Sequence, residues 1–97
     1  MLTSKQRAAL RAMSNGVESI LQVGKGGVGQ QLIQQVDDAL EARELVKLTV
    51  LETAPETARE LAGTLAQATR SQVVQVIGRK VVLYRKNHEK PVIRLPK

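Results

Sequence analysis

The sequence predicts a compact α/β domain in which elements follow the order α-β-α-β-α-β-β around a mixed four-stranded sheet. Three observations predict it. Apolar residues recur at helical spacing in three stretches, around Leu10, from Leu32 to Leu40 and from Leu61 to Ala66. Short β-branched runs lie between and after them, and a glycine-rich turn, Gly24-Lys25-Gly26-Gly27-Val28-Gly29, joins the first run to the second helix. Ninety-seven residues make one domain, and a domain of this size buries roughly 60–65% of its unfolded surface, enough for one modest core.

The elements follow in order. Thr3 with Gln6 reads as a capping box, and Leu2, Ala9, Leu10 and Met13 share one helical face until Asn15-Gly16 stops the helix. Arg7 and Arg11 fall together on the opposite side, toward solvent. A strand over Val17 to Val23 runs into the glycine turn. In the second helix Leu32, Ile33, Val36, Ala39 and Leu40 keep the 3.6-residue period, while the glutamine pairs, Asp37, Asp38 and Glu41 face away. Glu44 to Leu51 is apolar on both faces apart from Lys47 and Thr49, the pattern of a buried mid-sheet strand. Thr53 and Glu56, with Pro55 in the first turn, read as a second capping box for a helix whose stripe is Ala58, Leu61, Ala62, Leu65 and Ala66.

Two last runs, Val73 to Ile77 and Val81 to Tyr84, flank Gly78-Arg79, a type II′ hairpin signal, so they should pair antiparallel. Helical crossovers between the first three strands imply that those strands run parallel. Residues 1–86 are expected to form the domain and 87–97, polar and basic with Pro91 and Pro96, an extended, partly mobile tail.

Composition narrows the function classes. Without cysteine there is no disulfide framework, thiolate zinc site or cysteine nucleophile, a usage compatible with a reducing, cytoplasmic location. His88 is the only histidine, which makes metal chemistry and a cofactor unexpected. No apolar stretch approaches the roughly 20 residues that a membrane-spanning helix needs. The first seventeen residues lack acids and carry Lys5, Arg7 and Arg11, like a transit peptide, yet their capping signals and spacing fit a structural helix equally well.

The net charge of +6 is segregated: +3 over residues 1–30, −4 over 31–69 and +7 over 70–97. Such segregation is the footprint of a polyanion-binding face, provided the two basic ends converge in space.

The glycine turn has four readings. As GxGxxG after a strand, with Glu52 near the end of the next strand, it resembles a dinucleotide fingerprint. That fold needs two mononucleotide halves, however, and this chain has strands for little more than one and no hydride-transfer constellation. A P-loop fits less well, since no Lys-Ser or Lys-Thr follows the last glycine. As GxxG with Lys25 at its apex, it is a clamp for nucleic-acid backbone, built from bare N–H groups at a helix N-terminus. The last reading, a tight turn only, leaves three glycines in four positions and Lys25 without a role. Tyr84 is the only aromatic residue, so base-stacking platforms are excluded and recognition must rest on phosphate and sugar.

Four separated motifs resemble the CRM domain family (chloroplast RNA splicing and ribosome maturation), especially its bacterial stand-alone YhbY-like members. They are Leu2-Thr3-Ser4-Lys5-Gln6-Arg7 with Leu10-Arg11, Val23-Gly24-Lys25-Gly26-Gly27-Val28, Arg43-Glu44-Leu45-Val46-Lys47, and Val74 to Arg85 around Ile77-Gly78-Arg79-Lys80. The resemblance implies a fold similar to the C-terminal domain of translation initiation factor three, RNA binding, and association with precursors of the large ribosomal subunit. Two positions depart from the family pattern: Gly29 stands where a Thr or Ser usually caps the second helix, and Ser14-Asn15-Gly16 lacks the expected His and Pro.

The candidate RNA contacts are therefore Gly24, Lys25, Gly26 and Gly27 in the loop, with Arg7, Arg11, Lys47, Arg79, Lys80, Arg85 and Lys86 as the surrounding basic face. Lys90, Arg94 and Lys97 add long-range attraction. The expected function is a non-catalytic RNA-binding protein of ribosome assembly, with ribosomal RNA as partner and neither a membrane nor a small-molecule substrate. The alternatives are a nucleotide-binding domain using GxGxxG and a basic protein-interaction module within a ribonucleoprotein.

Overall fold

The protein is described by a computed structural model that covers residues 2–96. Its elements are α1 (Ser4–Ser14), β1 (Ser19–Val23), α2 (Gln30–Arg43), β2 (Leu45–Val50), α3 (Ala58–Thr69), β3 (Gln72–Ile77) and β4 (Lys80–Tyr84). The expected order and the mixed four-stranded sheet are both present. Among the described residues no helix is long and apolar enough to cross a membrane.

The strands lie in the order β1-β2-β4-β3. β1 pairs parallel with β2, whereas β4 pairs antiparallel with β2 on one side and β3 on the other. β3 thus runs in the same direction as β1 and β2 but pairs with neither, because the returning arm of the hairpin takes the inner position. Side-chain chemistry explains the choice. Val81, Val82, Leu83 and Tyr84 are all buried, as a strand covered on both faces requires. β3 carries Gln72, Gln75 and an exposed Ile77, residues an edge strand tolerates. At the hairpin tip only Gly78 has positive φ, +57°, as a type II′ turn demands.

The sheet has a core on each face. Helices α2 and α3 cover one, where Val36, Leu40, Leu61 and Leu65 meet Val23, Val46, Leu48, Val50, Val81 and Leu83. α1 covers the other, where Leu10 meets Leu45, Val74, Val82 and Tyr84, with Ile93 and Leu95 packed alongside. Alternation along β2 sends Val46, Leu48 and Val50 to the first face and Leu45 to the second.

Two local expectations are corrected. The third helix starts one capping box later: Thr57 Oγ1 accepts the Glu60 N–H at 3.2 Å and Glu60 Oε1 accepts the Thr57 N–H at 3.0 Å. Residues 51–54 instead turn, with the Ala54 N–H donated to the Leu51 carbonyl, and Glu56 faces the glycine loop. Glu44 is not the first residue of β2 but the C-cap of α2, at φ +64°. The C-terminal segment has no helix or strand, yet it is tied down over its described length: the Glu44 carboxylate accepts the N–H groups of Asn87, Val92 and Ile93 at 2.5–2.7 Å, and Gln6 Nε2 donates to the Pro96 carbonyl at 3.0 Å. Lys97 lies outside the described residues.

Candidate nucleic-acid interface

Because β1 and β2 are parallel, the loops that follow them emerge at the same end of the sheet, and the β3–β4 hairpin tip joins them there. Residues 24–29 therefore sit beside residues 51–57 and 77–80. The Val50 N–H donates to the Arg79 carbonyl at 2.7 Å, and a Cβ on Gly24 would lie 3.4 Å from Thr53 Oγ1.

Within the loop the glycines differ. Gly27 has φ +61°, and a Cβ there would lie 2.6 Å from Glu56 Oε1 and 2.9 Å from Pro55 Cγ. Backbone conformation and packing both require it to be glycine. Gly26 has ordinary φ, and nothing lies within 4 Å of the space a side chain would fill. The fold makes no demand for glycine at Gly26. Lys25 beside it is exposed.

Glu56 underlies the loop. Its Oε2 accepts the Val28 N–H at 3.4 Å, and its Oε1 is buried without a hydrogen-bond partner. On the open side Gln22, Gln31 and Gln35 join Gly24, Gly26 and Gly29 around a groove of about 350 Å³. Gly29, the N-cap of α2, provides no side-chain bond to the helix, and the first turn holds no acid. The leading N–H groups of α2 therefore lack the side-chain cap that α1 and α3 have, leaving a partial positive charge at the groove.

The remaining predicted residues divide into three groups. Arg79 and Lys80 are exposed at the loop end, where Arg79 Nη2 lies 3.0 Å from Glu52 Oε1 and Lys80 Nζ donates to Thr49 Oγ1 at 3.3 Å. Glu52, the acid that a ribose-binding reading requires, is thus paired with a cation. Lys47 is half-buried, and its Nζ donates to the Ser14 carbonyl at 3.2 Å, across the C-terminal end of α1. With Gln75, Ile77, Arg79, Lys80 and Val82 it lines a recess of about 370 Å³ on the α1 face.

Arg11 is exposed on α1, but Arg7 does not point to solvent: its Nη1 donates to the Val73 carbonyl at 2.8 Å and fastens α1 to β3. Arg85 and Lys86 follow β4 and lie at the opposite end of the sheet. Arg85 is committed to the fold. Its Nη1 meets Asp37 Oδ1 at 2.6 Å and the Thr69 carbonyl at 2.8 Å, and its Nη2 meets Glu41 Oε2 at 3.0 Å, leaving the side chain 19% exposed.

Sequence reasoning missed Gln22, Gln31 and Gln35 on the groove. The paired glutamines at 30–31 and 34–35 were the available signal, since the residues at 31 and 35 stand one helical turn apart on one side of α2. It also missed Glu44, whose charged carboxylate is fully buried. Burial opposes ionisation there, but the three backbone N–H donors and the nearby Lys86 outweigh it and hold the carboxyl below its ordinary range. For Tyr84, burial first and then Glu44 push the phenol up, and the ring is too deeply covered to stack on a base.

The family model of the CRS1/YhbY (CRM) domain matches residues 2–85, spanning the loop, both helical faces and the hairpin just described. The chain belongs to the CRM domain family. Among CRM relatives, a Bacillus subtilis protein named "Probable RNA-binding protein YqeI" is 46% identical over 96 residues, covering 99% of this chain and all of the relative. A Methanocaldococcus jannaschii protein named "Probable RNA-binding protein MJ0652" is 37% identical over 86 residues, covering 87% of this chain and 63% of that one. The solution structure of the Staphylococcus aureus protein SAV1595 superposes with a TM-score of 0.82 at 48% identity, over 99% of this CRM domain and all of its own chain.

Proposed function

We propose that this protein is a small, non-catalytic RNA-binding protein that grips RNA backbone at the glycine loop and acts on precursors of the large ribosomal subunit. The observation that carries the reading is Gly26. It is a glycine required neither by backbone conformation nor by packing, next to an exposed lysine and an uncapped helix N-terminus. A residue without a side chain in that setting lets a phosphate approach the backbone N–H groups closely. Arg79, Lys80 and Arg11 extend the positive surface, and Lys47 borders it from the α1 face. The names of the CRM relatives support RNA as the polyanion, and the family resemblance supports large-subunit precursor RNA as the particular one.

In this reading log affinity for a structured ribosomal RNA fragment falls linearly with log salt, and Lys25→Ala lowers both the affinity and the slope, the latter by about one. Gly26→Ala leaves the melting temperature unchanged and weakens binding. Wild-type affinity and slope in both variants would refute the loop assignment. Crosslinking in cells and sequencing of the attached RNA tests the partner: enrichment of large-subunit precursor RNA is expected, and its absence rejects the ribosomal assignment.

A further inference from the structure

The end of the sheet away from the glycine loop holds a second concave surface. There the C-terminal segment and the domain enclose a cleft of about 780 Å³, floored by Tyr84 and Ile93 and walled by Arg70, Lys86, His88 and Arg94. No aspartate or glutamate lines it. Among the described residues the ion pairs are Arg79–Glu52, Arg85–Asp37 and Arg85–Glu41, so Arg70, Lys86 and Arg94 enter none. Three exposed cations around one concavity, with no acid in its lining, focus positive potential into it.

Two further observations show that the cleft is built rather than incidental. Its outer wall is anchored: Glu44 holds the N–H groups of Asn87, Val92 and Ile93, the last of them next in the chain to Arg94, which lines the cleft. Arg70 occupies the C-cap of α3 at φ +57°, ψ +37°, the left-handed conformation in which glycine or asparagine is the less strained residue. A long cation at a position that favours glycine points to a use for its side chain.

We propose that this cleft is a second RNA-backbone site, which takes phosphates through Arg70, Lys86 and Arg94. The inference rests on the RNA-binding reading above and extends it. The two sites are separated by the length of β4, about 15–17 Å for five residues. Helices cover both faces of the sheet between them, α1 on one and α2 and α3 on the other. The protein therefore presents one backbone site at each end of the sheet, an arrangement that two segments of a folded RNA reach more readily than one short single strand.

The test is a salt titration of binding by the full chain to a stable ribosomal stem-loop, with oligouridine as the single-stranded control. Arg70→Gly is the informative variant. Removal of left-handed strain keeps or raises its melting temperature, while stem-loop affinity falls several-fold and the salt slope falls by about one. Arg94→Ala has the same binding effect without the backbone change. Lys25→Ala combined with Arg70→Gly loses both contributions additively, as distant sites do.

Wild-type affinity and slope in Arg70→Gly and Arg94→Ala overturn the cleft, and they leave the loop standing if Lys25→Ala still weakens binding. The reverse pattern upholds the cleft and overturns the loop. Equal sensitivity of oligouridine and stem-loop to both sets of variants overturns the two-segment geometry.

Discussion

Glu44→Gln tests the least expected feature of this fold. Glu44 is fully buried, and its Oε1 accepts the N–H groups of Val92 and Ile93 while Oε2 accepts that of Asn87. Glutamine keeps one oxygen, so two bonds survive as neutral ones; each loses about 1 kcal/mol relative to its charge-assisted form. Its amide group then confronts the third N–H, which costs about 1–3 kcal/mol for a donor left without an acceptor. Relief from desolvating a carboxylate offsets part of this, since burial is the largest single influence on the group. The expected net loss is about 2 kcal/mol, a large fraction of the roughly 5–10 kcal/mol that stabilises a domain of this size.

Urea denaturation at neutral pH measures that loss, and hydrogen exchange reads the amides of 87, 92 and 93 directly. Acidification separates wild type from variant. Because the folded carboxyl sits below its ordinary value of 4.5, the stability it contributes is complete above that value and disappears as pH falls through the lower, folded one. The wild-type advantage therefore shrinks in acid. A loss below roughly 0.5 kcal/mol, the noise of surface substitutions, together with unprotected amides at 92 and 93 in wild type, would refute the role of Glu44.

The other predictions concern the loop end and the Arg85 clamp. Thr57→Ala should cost about 1 kcal/mol of stability and Thr53→Ala almost none, because only the former caps α3; equal effects in thermal melts would contradict the assigned helix start. Gly27→Ala should destabilise by about 1–3 kcal/mol through its left-handed backbone and the contact with Pro55, whereas Gly26→Ala stays within about 0.5 kcal/mol. Arg85→Met should cost about 1–2 kcal/mol, since it strands the Thr69 carbonyl while Asp37 and Glu41, 45% and 65% exposed, regain water. Its RNA affinity should change less than twofold at a temperature where the variant is folded; a larger drop in filter binding would return Arg85 to the interface.

Much of this molecule was legible in its sequence for reasons that are local. The Thr3–Gln6 box, the stripe of α2 and the Gly78 turn are encoded by residues within four positions of one another, and each formed as expected. Thr53–Glu56 and Thr57–Glu60 satisfy the same local rule, so spacing could not choose between them. The choice followed from Glu56 reaching Val28 across 28 residues of chain. The same limit applies to charge. Arg7, Arg79 and Arg85 look alike in a charge count, but one fastens α1 to β3, one is half-exposed beside Glu52, and one is absorbed by two carboxylates and a carbonyl.

The sequence by itself determined the succession of elements, the antiparallel hairpin, the open glycine loop and the excess of positive charge, because periodicity, turn chemistry and composition are properties of neighbouring residues. Tertiary structure alone decided that β4 lies inside β3, that Glu44 fastens the C-terminal segment, and that Arg79 and Lys80 gather at one end of the sheet while Arg70, Lys86 and Arg94 gather at the other. Those outcomes depend on which distant groups compete for the same buried hydrogen bond or apolar face, and that competition exists only once the chain has closed on itself.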